Sequence, residues 1–140
     1  MENFKHLAPF LGRILIVAIF LMSGLHKLDQ FEETAALMAG KGLPMVDVVL
    51  MLSIFIELGG ALMILLGWHA RIGTLGLFLW LIPVTLTFHA FWQVPPEQAQ
   101  LQMNEFMKNV AIMGALILVM LHGPGHFSVD CLAQRMRARA

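Results

Sequence analysis

Four apolar runs, each near the length of a bilayer crossing, constrain this chain more than anything else in it. They cover residues 7–25, 44–68, 72–92 and 106–122. A helix needs about 20 apolar residues to cross, because every backbone polar group must be satisfied inside the segment. The composition agrees: 59% of the 140 residues are hydrophobic and 13% are charged, about half the charged share of a soluble domain. The expected fold is all-α, a single-domain integral membrane four-helix bundle. Net charge is zero, which gives no electrostatic footprint for nucleic acid. Cys131 is the single cysteine, so neither an intramolecular disulfide nor a paired-thiol redox centre can form. Residues 1–6 lack a cleavage-site pattern, so the first run is expected to remain as an anchor.

The connections are short or patterned. After the first run, Asp29 and Glu32 have the spacing of a capping box. Phe31, Ala35 and Met38 follow at i, i+4 and i+7, and Gly40 is placed to end the element. This predicts a short interfacial helix over 29–39. Pro44 suits the first turn of the second span, Pro83 predicts a kink in the third, and residues 93–105 read as a polar connection. Four crossings put both termini on one side. That side carries Lys5, Arg71, Arg135, Arg137 and Arg139, with Arg13 just inside, whereas the other carries Lys27, Lys41 and Lys108. The positive-inside bias then predicts both termini in the cytoplasm of a bacterium, with the bundle in its inner membrane.

Two buried charges matter most for function. Glu57 is alone in residues 48–68, where every other position is apolar, Gly or Ser. A carboxylate at such depth costs about 2.5–3.5 kcal/mol on insertion scales, so it faces a partner, a cavity or a proton path. Arg13 lies about 9 Å inside the first span and Glu57 about 15 Å from the same edge, at ~1.5 Å per residue. An Arg13–Glu57 pair between the first two spans is therefore expected. It either fixes helix register or sets the charge of a proton-handling Glu57.

A second group gathers at the opposite end: His26 and Lys27, then Thr85, His89 and Trp92 at i, i+4 and i+7, then Lys108 and Asn109. Imidazole, ammonium, amide and indole donors at one level suit the two carbonyls of a quinone head group or a small oxyanion. Trp, Lys and His also collect at headgroups without further function. Haem ligation by His26 and His89, or a metal at His122 and His126, lacks supporting ligands, and no metal site is expected. The methionines are scattered through the apolar runs as packing filler.

The ordered marks along the chain resemble those of the DoxX family of small bacterial four-helix membrane proteins. They are Gly12-Arg13, Ser23-Gly24 with Lys27, Gly42-Leu43-Pro44 and Glu57-Leu58-Gly59-Gly60. Gly67 with Arg71, His89-Ala90-Phe91-Trp92 and Phe106 with Lys108-Asn109 follow, and Gly123-Pro124-Gly125 with Ser128-Val129-Asp130 ends the set. The resemblance implies kinship with quinone-linked subunits of thiosulfate:quinone oxidoreductase and of an archaeal terminal oxidase. Other members look like accessory partners of redox or stress enzymes. It also implies functional positions at Arg13, Lys27, Glu57, His89, Trp92, Lys108 and Asn109.

Two principal expectations follow. In the first, the chain is a quinone-reactive oxidoreductase subunit. His89, Lys108 and Asn109 would donate to a quinone carbonyl and Trp92 would pack on the ring. Glu57, tuned by Arg13, would handle the proton, and Lys27 with Lys108 would attract a small sulfur anion as electron donor. In the second it is a non-catalytic anchor for a cytoplasmic partner, docked at residues 123–130 and the basic tail. An anion or lipid carrier would require oligomerisation. Gly73 and Gly76 offer packing surfaces within one chain or between two.

Overall fold

The computed structural model describes the backbone of residues 2–138 and the side chains of residues 7–138. Arg139 and the Lys5 side chain, both counted in the charge comparison, lie outside that range. Helix α1, Glu2–Asp29, contains the first crossing. It passes almost without interruption into α2, Phe31–Gly40. The amide of Gln30 bonds to His26 O at 2.8 Å, and that of Thr34 to Gln30 O at 3.0 Å. Helical hydrogen bonding thus carries through the bend. This corrects the capping-box expectation: Asp29 ends α1, and no side chain caps α2. The predicted Phe31, Ala35 and Met38 stripe is what α2 buries, against Leu50 and Ile54. Leu37, Glu32 and Glu33 remain exposed.

Helix α3, Val46–Leu66, begins two residues after Pro44, because Met45 takes a left-handed conformation and interrupts the run. It ends in a Schellman motif at Gly67, with Gly67 N bonding Ile64 O at 3.1 Å and Trp68 N bonding Met63 O at 3.0 Å. Helix α4, Ala70–Phe88, contains Pro83. A short 3-10 turn, Phe91–Gln93, leads to α5, Pro96–His122, and α6, Val129–Arg137, closes the chain. Within the segment read as a polar connection, residues from Pro96 onward are helical. Pro96 and Glu97 fit a helix N-terminus, and the polar residues after them are mostly good helix formers. Hydropathy detected the apolar portion of α5 and missed its polar first turns.

The four long helices are long and apolar enough to cross a membrane, and they pack in chain order: α1 on α3, α3 on α4, α4 on α5, with α1 and α5 barely meeting. The shared core is Val17 and Phe20 from α1, Ala61 and Ile64 from α3, Leu77 and Leu81 from α4, and Leu116 from α5. Gly60 and Gly73 set the α3–α4 approach. A Cβ on Gly73 would lie 2.8 Å from Met63 Cβ and 3.0 Å from Gly60 O. Gly73 therefore serves packing within the chain, whereas a Cβ on Gly76 would meet nothing within 4 Å. Large side chains such as Leu15 and Phe55 form an exposed apolar girdle, as a lipid-facing surface requires.

Candidate functional site

One rule of helix geometry decides which charges meet. Every Cα–Cβ bond tilts toward its helix N-terminus, so a long side chain covers the preceding turn. On α1 this sends Lys27 back into the bundle and Arg13 outward, toward the end that holds both termini. Lys27 Nζ, with its side chain 19% exposed, pairs with Glu57 Oε1 on α3 and also donates to Ser23 Oγ at 3.2 Å. Ser53 Oγ, one turn before Glu57, donates to the same carboxylate oxygen at 3.0 Å. Glu57 is buried, and its Oε2 has no hydrogen-bond partner among the described residues. Two i, i+4 pairs on facing helices therefore build one polar network inside the apolar bundle.

The expected Arg13–Glu57 pair does not form. Buried Arg13 donates instead to Ile64 O at 3.0 Å and Leu65 O at 3.2 Å, and its other terminal nitrogen donates to Phe127 O. Two of these carbonyls lie at the C-terminal end of α3, where the helix dipole favours a cation; Ile64 O accepts from Gly67 N as well. The Phe10 ring lies 5.5 Å from the guanidinium carbon. The sequence-based distance compared Cα depths and ignored the direction in which each side chain leans.

Arg13 thus belongs to a structural clamp at the terminal end of the bundle. Asp130 N donates to Gly67 O at 3.0 Å, and His69 N donates to Asp130 Oδ1 at 3.1 Å. Gly67 has φ +64°, and a Cβ there would sit 2.4 Å from Ser128 Cβ and 2.6 Å from an Arg13 nitrogen. We expect Gly67→Ala to lower stability by about 2 kcal/mol or more, through left-handed strain and this clash. Thermal unfolding in detergent checks this, and a melting point equal to wild type would show that the clamp yields freely.

The rest of the outer group makes four separate sets of contacts. His89 Nδ1 donates to Gln102 Oε1 at 3.0 Å, in the tautomer that this acceptor selects. Asn109 is buried and donates to Thr85 Oγ1 at 3.0 Å, while Thr85 donates to Leu81 O at 2.6 Å, so this pair ties α5 to α4. Lys108 pairs with Glu105 at the surface. Exposed Trp92 meets Phe91 and Phe106 edge to face, at ring separations of 5.0 and 5.8 Å. Among the described residues no hydrogen bond, ion pair or ring contact joins His89, Trp92, Lys108 and Asn109 directly to one another. Helix α4 ends at Phe88, so the i, i+4, i+7 face does not extend to Trp92.

A cavity of about 560 Å³ does gather Lys27 and His89. It opens between α1, α2, α3 and α4, within the usual range for small-molecule sites. Leu37, Met38, Leu43, Val49, Pro83, Val84 and Phe88 supply its apolar wall. Ser23, His26, Lys27, Thr34, Lys41, Ser53, Thr87 and His89 supply polar groups. Trp80 also lines it, and its buried indole Nε1 has no hydrogen-bond partner among the described residues. Ser23, Lys27 and Ser53 join this cavity to Glu57 behind it. The sequence reading missed Trp80, Thr87, Thr34 and Lys41 as site residues. Trp80, Pro83, Val84 and Thr87 recur at i, i+3, i+4 and i+7, a signal of one α4 face. Nothing in that spacing says whether such a face meets lipid or a cavity.

The sequence profile of the DoxX family matches residues 8–90, which contain α2, α3, α4 and nearly all of α1, and with them every residue lining this cavity. Inner membrane protein YphA of Escherichia coli (strain K12) is 30% identical over 120 residues, covering 86% of this chain and 86% of that protein. Inner membrane protein YqjF of the same organism is 30% identical over 135 residues, covering 96% of this chain and 98% of that protein. No solved structure matches the chain significantly. With the family profile covering more than half its length and two relatives aligned along most of theirs, this chain belongs to the DoxX family.

Proposed function

We propose that this protein is a quinone-interacting subunit of an inner-membrane oxidoreductase, and that the cavity bounded by α1–α4 receives the quinone head group. The observation that carries the reading is the pairing of an apolar wall with two donors: Lys27 on the lining, and the indole N–H of Trp80, which has no partner among the described residues. A planar head group with two carbonyl acceptors and an apolar tail matches that distribution. When bound, a quinone accepts two electrons and two protons. The chain's own part is to orient the carbonyls and hold a proton close by. Lys27 and Glu57, joined by a hydrogen bond next to the cavity, are suited to deliver one proton to the carbonyl oxygen being reduced. The electrons come from a partner's cofactor or from a small sulfur anion, so a protein partner belongs to this reading. The inner-membrane names of both relatives support the location. The concentration of arginine at the end that carries both termini supports a cytoplasmic position for them.

Val84→Trp fills the cavity from an intermediate position on its wall and tests the site. Wild-type protein extracted in native lipid particles is expected to carry isoprenoid quinone, and a short-chain quinone should quench its tryptophan fluorescence. The variant should lose the quinone while unfolding at the wild-type temperature. Equal quinone content in both proteins, or none in either, defeats the proposal.

Glu57→Gln addresses the proton. Its amide oxygen still accepts from Lys27 and Ser53, so the fold should persist while quinone reduction by the native complex falls at least about tenfold, a typical lower bound for lost acid–base chemistry. Full activity with an intact fold would remove Glu57 from the mechanism.

A further inference from the structure

Charge is divided unevenly between the two ends of the bundle. The end carrying the termini has Arg13, Arg71, Arg135 and Arg137, whereas the opposite end has Asp29, Glu32, Glu33, Asp47, Glu97 and Glu105 among its acids. At the basic end lies a second cavity of about 870 Å³, framed by the α3–α4 turn, the last residue of α5, the Gly123-Pro124-Gly125 loop and α6. It is separate from the quinone cavity, and no residue lines both.

Two arginines line this space. Arg71 enters from the first turn of α4 and Arg137 from the last turn of α6. Among the described residues neither forms an ion pair. Arg71 makes one long contact, 3.5 Å to Leu121 O, which is at the limit of a hydrogen bond and leaves most of its donors uncommitted. The carboxylate in the lining, Asp130, is engaged by the His69 amide. His122 donates through Nδ1 to Leu118 O at 3.0 Å, leaving Nε2 as its remaining polar atom. A site with two uncommitted arginines and a carboxylate already bonded elsewhere selects an anion. The fork of donors on arginine matches phosphate oxygens.

The surroundings identify the source of that phosphate. Trp68 and Ile72 border the cavity as exposed apolar side chains. On α6, Val129, Leu132 and Met136 repeat at i, i+3 and i+7, and all three are exposed. Asp130, Gln134 and Arg137 repeat at i, i+4 and i+7 and line the cavity. Val129 also lines the cavity, so the apolar edge of α6 adjoins it, and Arg137 is the basic group this helix brings there; an apolar edge beside arginine suits a ligand that carries both acyl chains and an anionic headgroup. A soluble anion would gain nothing from the apolar border.

We propose that the cavity between the α3–α4 turn and α6 binds the phosphate of an anionic phospholipid, gripped by Arg71 and Arg137, with its acyl chains against the exposed apolar residues at its edge. The assignment stands apart from the quinone reading and survives its failure.

The test counts lipids retained by the full-length protein in native mass spectrometry after reconstitution with phosphatidylglycerol or phosphatidylcholine. Wild type should retain phosphatidylglycerol preferentially. Arg71→Gln and Arg137→Gln should each reduce retention about fivefold, the scale expected for one surface arginine. Arg71→Lys and Arg137→Lys should restore much of it, which separates lost charge from lost folding. Addition of inorganic phosphate should leave the lipid bound. Equal retention of the two lipids, or retention unaffected by the glutamine variants, overturns the proposal. Displacement of phosphatidylglycerol by inorganic phosphate alone also overturns it, and reassigns the cavity to a soluble phosphate compound.

Discussion

Replacing Lys27 with methionine is expected to destabilise the protein by about 3–5 kcal/mol, the usual cost of stranding one member of a buried ion pair. Glu57 would then keep Ser53 as its hydrogen-bond donor but lose the cation that compensates its charge in the core of α3. The double variant Lys27→Met with Glu57→Leu should recover most of that loss, since replacing both charges by apolar groups of similar volume is often close to neutral. Reversible unfolding in mixed micelles measures each variant, and the four proteins form a double-mutant cycle. A Lys27–Glu57 coupling below about 0.5 kcal/mol, the range of independent sites, would mean that the two side chains do not hold each other in the membrane. Stability and function separate in this experiment. If the double variant folds well but no longer supports the proposed quinone reduction, the pair exists for chemistry and not for architecture.

Arg13→Met should produce a loss of comparable size at the other end of α1. Its guanidinium satisfies Ile64 O, Leu65 O and Phe127 O at once, and hydrogen bonds to a charged donor contribute about 1.5–3 kcal/mol each. We expect a decrease of about 3 kcal/mol or more. Hydrogen exchange should accelerate at Gly67, Trp68 and Asp130, whose amides are ordered by this clamp. The stability cycle between Arg13 and Glu57 should show additivity within about 0.5 kcal/mol. Strong coupling between these two residues would reinstate the pairing that their depths in the sequence suggest. Unchanged exchange at the clamp would deny Arg13 its structural role.

Much of the architecture was legible because it depends on local pattern. Four apolar runs announced four crossings, and Phe31, Ala35 and Met38 announced the buried face of α2. The isolation of Glu57 in residues 48–68 was enough to require a partner for it. Boundaries were less legible. The polar first turns of α5 carry no hydropathy signal, and a helix that continues through Gln30 needs no cap at Asp29.

The candidate site was harder to read, because sequence gives depth along a helix and not rotation about it. Asn109 and Lys108 are adjacent, yet Asn109 turns inward to Thr85 while Lys108 turns outward to Glu105. Trp80 carries no motif and still lines the cavity, since that space exists only where four elements leave it.

By itself the amino-acid order determined that this chain crosses a membrane four times, with an ionisable interior and a basic terminal end. Apolar length and charge count are additive along a chain, and they survive ignorance of the fold. Only the tertiary structure decided that Lys27, and not Arg13, meets Glu57. The direction of each Cβ sends one α1 cation into the bundle and the other to the carbonyls at the end of α3, a choice that no count of residues contains.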